Sequence, residues 1–125
     1  MAVQLTIDVK QRLFVATYSG EINDDEILGL ASLARSHPDF DPSFSILWDF
    51  SGVTGGAVST FAMQELSRRE SILSPASLHV ILAPQDHIFG IFRMGQVLAE
   101  ETKPNVVVVR TAAEAHRCLG LEKTG

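Results

Sequence analysis

Three short apolar runs constrain the fold of this chain more than any other feature of its sequence. Residues 45–50, 78–83 and 106–109 are dominated by aliphatic, aromatic and β-branched side chains, so both faces of each predicted strand carry apolar residues. Runs of this kind are typical of parallel sheets, which are covered on both faces. The segments between the runs carry apolar residues at helical spacing, which predicts helices that cross over from one parallel strand to the next.

The N-terminal segment predicts a hairpin at one edge of the same sheet. Apolar and polar residues alternate over 3–9, and the short connection 10–12 leads into a second strand over 13–19. With the three apolar runs, these strands give the order β-β-α-β-α-β-α-β-α. The sequence therefore predicts an α/β fold in which a mostly parallel five-stranded sheet carries about four helices. A length of 125 residues is typical of one domain, so we expect residues 1–125 to form a single domain.

Capping residues and the spacing of apolar side chains mark the helices. An N-cap residue followed three positions later by glutamate predicts a helix start at Asn23 and again at Thr111. Gly120 is the expected C-cap of the last helix. Apolar spacing predicts two further helices, over 59–72 and 87–101.

Apolar side chains on both faces of the central strands require other elements to pack against each face. Crossovers of one hand between neighbouring strands place most helices on one face of a sheet. Either the helices are divided between the two faces, or a second copy of the chain covers the second face. Leaving several hundred Å² of apolar surface exposed to water would lose many kcal/mol of hydrophobic stabilisation. We therefore expect a homodimer.

Charge and composition disfavour several classes of function. The formal net charge is −5 and the isoelectric point about 5.2, which disfavours binding to nucleic acid or to anionic membrane surfaces. No apolar run approaches the roughly 20 residues of a membrane span, and residues 1–5 do not resemble a signal peptide. We therefore expect a cytoplasmic protein without membrane insertion. Cys118 is the only cysteine and the four histidines lack the spacing of a metal site, so no cofactor or metal is expected.

Two segments resemble a known family. Residues 49–53 are Asp-Phe-Ser-Gly-Val, and residues 83–94 are Ala-Pro-Gln-Asp-His-Ile-Phe-Gly-Ile-Phe-Arg-Met. The first resembles the segment that ends the third strand in the STAS family, the domain of bacterial anti-sigma-factor antagonists. The second resembles a segment of small, functionally uncharacterised bacterial STAS-like proteins. The resemblance covers nearly the whole chain and implies a SpoIIAA-like fold.

The resemblance implies a non-enzymatic protein-interaction or regulatory module with a protein partner. Anti-sigma-factor antagonists carry a serine in an Asp-Ser-Ser-Gly type of turn, and a partner kinase phosphorylates it to switch binding. This chain has Thr54-Gly55-Gly56 in that region, so we do not expect regulation by that switch. The sequence also lacks the Gly-x-Ser-x-Gly elbow of hydrolases, a P-loop and a dinucleotide fingerprint, so no enzymatic activity is predicted.

A few polar residues around the third and fourth strands are candidates for a ligand- or partner-binding site. They are Asp49, Ser51, Thr54, Asp86, Phe89 and Arg93. Asp49 lies in an apolar strand, so we expect it to accept N–H groups from a turn over 51–56. Asp86 is the expected N-cap of a helix that carries Phe89 and Arg93 on one face. These residues predict a crevice for a small anionic or apolar ligand at the carboxyl ends of strands three and four; the alternative is an ion pair between Arg93 and an acid across the sheet edge.

Overall fold

The computed structural model describes residues 3–100, 103 and 105–121. Its strands are β1 (Val3–Asp8), β2 (Leu13–Ile22), β3 (Ser45–Gly56), β4 (His79–Leu82) and β5 (Val106–Val109). They form one sheet in chain order, in which β1 is antiparallel to β2 and every later pair is parallel. The predicted α/β class is confirmed, with a mostly parallel five-stranded sheet that begins with a hairpin.

The helices confirm the caps predicted at Asn23, Thr111 and Gly120 and differ in number from the prediction. They are α1 (Asp24–Leu28), α2 (Leu30–Arg35), α3 (Thr60–Arg68), α4 (Asp86–Leu98) and α5 (Ala112–Leu119). The side chains of Asn23 and Thr111 accept the backbone N–H three residues later, at 3.0 and 3.2 Å. Gly120 is the C-cap of α5 with φ of 66°, a left-handed conformation that favours glycine. The single helix predicted after Asn23 is two short helices, because the helix is interrupted at Gly29.

Two helices are shorter than the apolar spacing predicts. α3 has Ser59 as its N-cap and ends at Arg68, since Arg69 takes an extended conformation with ψ of 142°. The predicted end at residue 72 is therefore wrong. α4 ends at Leu98, and the predicted end at Glu101 lies outside the described residues.

β3 extends well past its predicted end. It has 12 residues, where the sequence predicts a strand over 45–50. The predicted turn over 51–56 is wrong, because these residues pair with β2, which itself continues to Ile22 through two irregularities of register. β4 ends with Leu82 opposite Asp49, so the second half of β3 is bonded to β2 alone in the described sheet.

Helices α1 to α4 cover one face of the sheet. The core on this side contains stacked aromatic rings: the centroids of Tyr18 and Phe50 lie 4.6 Å apart, and those of Phe50 and Phe92 4.8 Å. Ile27 of α1 and Met63 of α3 are buried in the same cluster. Crossovers of one hand between neighbouring parallel strands place their helices on the same face, which accounts for this one-sided arrangement.

Helix α5 lies on the other face, against β4 and β5. Ala115 is fully buried there among Leu47, Val80, Leu82 and Val109, each no more than 6% exposed. One copy of the chain therefore covers the second face of its central strands, as the first of the two alternatives predicts. The homodimer stays a prediction, and these buried side chains do not require it.

Candidate functional site

Asp49 and Ser51 form a local hydrogen-bonded pair on β3. Asp49 Oδ1 accepts the backbone N–H of Ser51 at 2.9 Å and also accepts its hydroxyl. The interpretation that Asp49 accepts an N–H from the residues that follow it is confirmed for Ser51. Thr54 lies three residues further along the same strand and is exposed.

Asp86 and Phe89 are brought together by a residue that the sequence did not single out. Arg110, just after β5, donates to Asp86 Oδ1 at 2.5 Å, and its guanidinium carbon lies 4.7 Å from the centroid of the Phe89 ring. Asp86 is the first residue of α4 and Gln85 is the N-cap, so the predicted capping role of Asp86 is wrong by one position. The carboxyl ends of β4 and β5 are neighbours, and this adjacency was the available signal for Arg110.

Arg93 points away from this pair. Its Nη1 donates to Gln96 Oε1 at 2.9 Å, one turn along α4, and the described residues give it no ion pair. The Nε2 of Gln85 donates to the carbonyl oxygens of Phe50 and Val53 at 2.8 and 2.9 Å. The side chain of Gln85 thus occupies the space between the carboxyl ends of β3 and β4, where the sequence predicts a crevice.

A cavity of about 150 Å³ lies at the opposite end of the sheet. It lies between the amino-terminal ends of the parallel strands and the layer of α1 to α4 and is partly open to solvent. The sheet contributes Phe14, Ile46, Trp48, His79, Ile81 and Val106. The other walls come from α1 and α2, from the carboxyl ends of α3 and α4, and from residues 69–73, which lead from α3 toward β4. Because most of these side chains are apolar, the cavity suits an apolar ligand.

Two of the polar groups that line the cavity hydrogen-bond to backbone carbonyls. Lys103 Nζ donates to the carbonyl of Leu66 at the end of α3. Arg69 donates to the carbonyl of Leu28 at 3.1 Å and pairs with Glu65 at 3.5 Å. Burial, and then the nearby charge of Arg69, lower the pKa of the half-buried Lys103 ammonium.

Two further polar groups in the cavity lining come from the sheet. The indole N–H of Trp48 is buried, and the described part of the chain offers it no hydrogen-bond partner. Burial, with a smaller contribution from the charge of Lys103, lowers the pKa of His79 to about 4, so its imidazole is neutral at neutral pH. The cavity therefore combines a mostly apolar lining with the ammonium group of Lys103.

Sequence reasoning missed this cavity for an identifiable reason. His79 is the polar residue in an otherwise apolar run, and Trp48 is the single tryptophan, so both carried a signal. The cavity itself depends on where α3 ends and on how residues 69–73 return to the sheet. Neither follows from apolar spacing.

Comparison with known proteins adds no assignment. No protein-family model matches the chain, and no curated protein matches it. Across residues 3–100, 103 and 105–121, no cluster of His, Cys, Asp and Glu could hold a metal ion. Within the same ranges, no helix combines the length and the apolar character needed to cross a membrane.

Proposed function

We propose that this chain is a non-enzymatic binding module of the STAS type, with a SpoIIAA-like fold, and that it binds a small apolar molecule. The cavity of about 150 Å³ between the sheet and α1 to α4 is the observation that carries this proposal. The hairpin followed by β-α repeats, with strands in chain order, supports the assignment of the fold. The ligand site lies at the amino ends of the strands instead of the carboxyl ends.

The size of the cavity limits the ligand to roughly one aromatic ring or a short branched chain. An engineered cavity of about 150 Å³, lined by Leu, Ile and Phe, stays dry and takes up benzene. The same residue types form much of the lining here, through Phe14, Ile46, Ile81 and Phe92. Filling the cavity restores dispersion contacts that its lining lacks when empty.

Toluene is a suitable probe, because it is apolar and fills a cavity of this size. We expect it to change the fluorescence of Trp48, which is the only tryptophan and lines the cavity. At ten times its Kd, toluene should stabilise the fold by about 1.4 kcal/mol and raise Tm by several degrees. The measurement is a fluorescence titration together with thermal unfolding at increasing toluene concentration.

A variant with a filled cavity provides the matched test. Ala31 of α2 lines the cavity, so Ala31→Phe should weaken toluene binding by about tenfold or more through occupation of the same space. Ala112 is exposed at the start of α5 on the other side of the sheet, so Ala112→Phe should leave toluene binding unchanged. Equal affinities in the two folded variants, or no toluene binding by the unmodified chain, would contradict the proposal.

A protein partner is a second candidate, supported by exposed groups at the carboxyl ends of the strands. Ser51 and Thr54 are exposed, and the side chain of Asp86 is 94% exposed although it pairs with Arg110. A partner that binds here would leave the cavity accessible. Replacing Thr54 by Arg should then weaken partner binding and leave toluene binding unchanged.

The homodimer and the cytoplasmic address are further proposals from the sequence. Sedimentation at several protein concentrations tests the first, and we expect a mass that approaches twice 13.6 kDa as concentration rises. A mass that stays at one chain over the whole range rejects the dimer. This result would leave the cavity proposal untouched, since residues of a single copy line the cavity.

A further inference from the structure

The polar groups of the cavity point to the chemistry of its ligand. This step rests on the proposed function, since it assigns a chemical class to the molecule that fills the cavity. Gln96, which also lines the cavity, has both ends of its amide engaged: Oε1 accepts from Arg93, and Nε2 donates to the carbonyl of Val106 at 2.8 Å. Lys103 offers a ligand an ammonium group at the wall of the cavity, where it also donates to the carbonyl of Leu66.

The ammonium of Lys103 is a donor only. It has three N–H bonds and no lone pair, so it can donate to a ligand while it is bonded to the carbonyl of Leu66. Among the described residues no carboxylate oxygen lies within 4.0 Å of Lys103 Nζ, and a backbone carbonyl is its recorded partner. A half-buried cation beside an apolar cavity gains most from an anionic acceptor, because the low local dielectric strengthens the attraction.

We propose that the ligand is a small apolar carboxylic acid of about one aromatic ring, whose carboxylate accepts a hydrogen bond from Lys103 and whose ring fills the cavity. Arg69 and Glu70 also line the cavity, and Arg69 is already bonded to Glu65 and to the Leu28 carbonyl. Glu70 is exposed, so water screens its charge, whereas Lys103 is half-buried. Lys103 therefore supplies the charge that selects an acid over a neutral or cationic analogue.

Three probes of similar size separate the contributions of charge and shape. Benzoate, toluene and benzylamine each carry one ring, and at about pH 7.5 they are anionic, neutral and cationic respectively. We expect benzoate to bind about tenfold more tightly than toluene and benzylamine more weakly than both, as measured by the fluorescence of Trp48. Benzoate affinity equal to or below that of toluene would overturn this inference and leave the proposed apolar site standing. Failure of all three probes to bind would overturn the proposed function itself.

Variants of Lys103 test whether its ammonium group causes the preference for benzoate over toluene. Lys103→Met keeps the length of the side chain and removes its charge, so benzoate should lose about tenfold in affinity while toluene changes less than about twofold. Lys103→Arg should retain the preference for benzoate, which keeps the test valid if the methionine variant folds poorly. The matched control is Lys10→Met, since Lys10 is exposed in the hairpin connection away from the cavity. Equal losses of benzoate and toluene in Lys103→Met, or the same loss in Lys10→Met, would reject the role of Lys103.

Discussion

Replacing Gly56 by alanine is expected to lower the free energy of unfolding by about 3 kcal/mol or more. Gly56 ends β3 with φ of 83°, in the left-handed region that side chains disfavour. A Cβ there would lie 2.1 Å from the carbonyl oxygen of Ile22 and 2.5 Å from its nitrogen. These atoms belong to the paired strand β2, so the backbone itself has to move.

Gly120 provides the matched control for this prediction. It also has a left-handed conformation, with φ of 66°, but a Cβ there would meet no atom within 4 Å. Gly120→Ala should therefore cost about 1 kcal/mol, which is the backbone strain alone. Urea unfolding of both variants measures the difference. Equal losses in the two variants would show that the contact with Ile22 contributes nothing.

Lowering the pH from about 7.5 to about 5 is expected to reduce the free energy of unfolding by about 2 kcal/mol through His79 alone. His79 has a pKa of about 4 in the folded chain, because burial disfavours its charged form. In the unfolded chain its pKa is near 6.5. Between about pH 6.5 and pH 4 the unfolded chain binds a proton at His79 and the folded chain does not. The contribution of His79 to the free energy of unfolding is therefore fully present above about pH 6.5 and is lost as the pH falls toward 4.

His79→Leu isolates this contribution. The variant cannot titrate at position 79, so its stability should change by about 2 kcal/mol less than that of the unmodified chain over the same interval. Urea unfolding at both pH values gives the comparison. Hydrogen bonds lower the pKa of the exposed carboxyls Asp8, Asp24 and Asp41, and these groups remain in both proteins. Parallel pH dependences in the two proteins would contradict the neutral, buried state of His79.

The sequence predicts the sheet and most helix starts, because the signals for them are local. The run over 106–109 matches β5 at both ends, and the caps at Asn23 and Thr111 are confirmed by their hydrogen bonds. Local sequence signals do not predict the length of β3. Residues 51–56 have the composition of a turn, and pairing with the continued β2 overrides that local preference.

The candidate site was predicted less well than the fold. In open α/β sheets, ligands commonly bind at the carboxyl ends of the parallel strands. This rule predicted the candidate site beside Asp49 and Asp86. There the amide of Gln85 bonds to two carbonyls of β3, and Arg110 pairs with Asp86. The cavity at the other end is a gap in packing, which depends on the sizes and directions of side chains from all layers. A single sequence does not contain that information in a local pattern.

The position of α5 bears on how the chain folds as it is synthesised. The strands β3 and β4 and the helices α1 to α4 are all complete before residue 112 leaves the ribosome. Until α5 follows, Leu47, Val80 and Leu82 have no helix over them, although the opposite face of the same strands is already covered. The nascent chain thus exposes apolar sheet surface until its last helix forms, which is the kind of intermediate that chaperones bind. Folding of the whole domain is therefore expected to finish only after translation of residues 112–119.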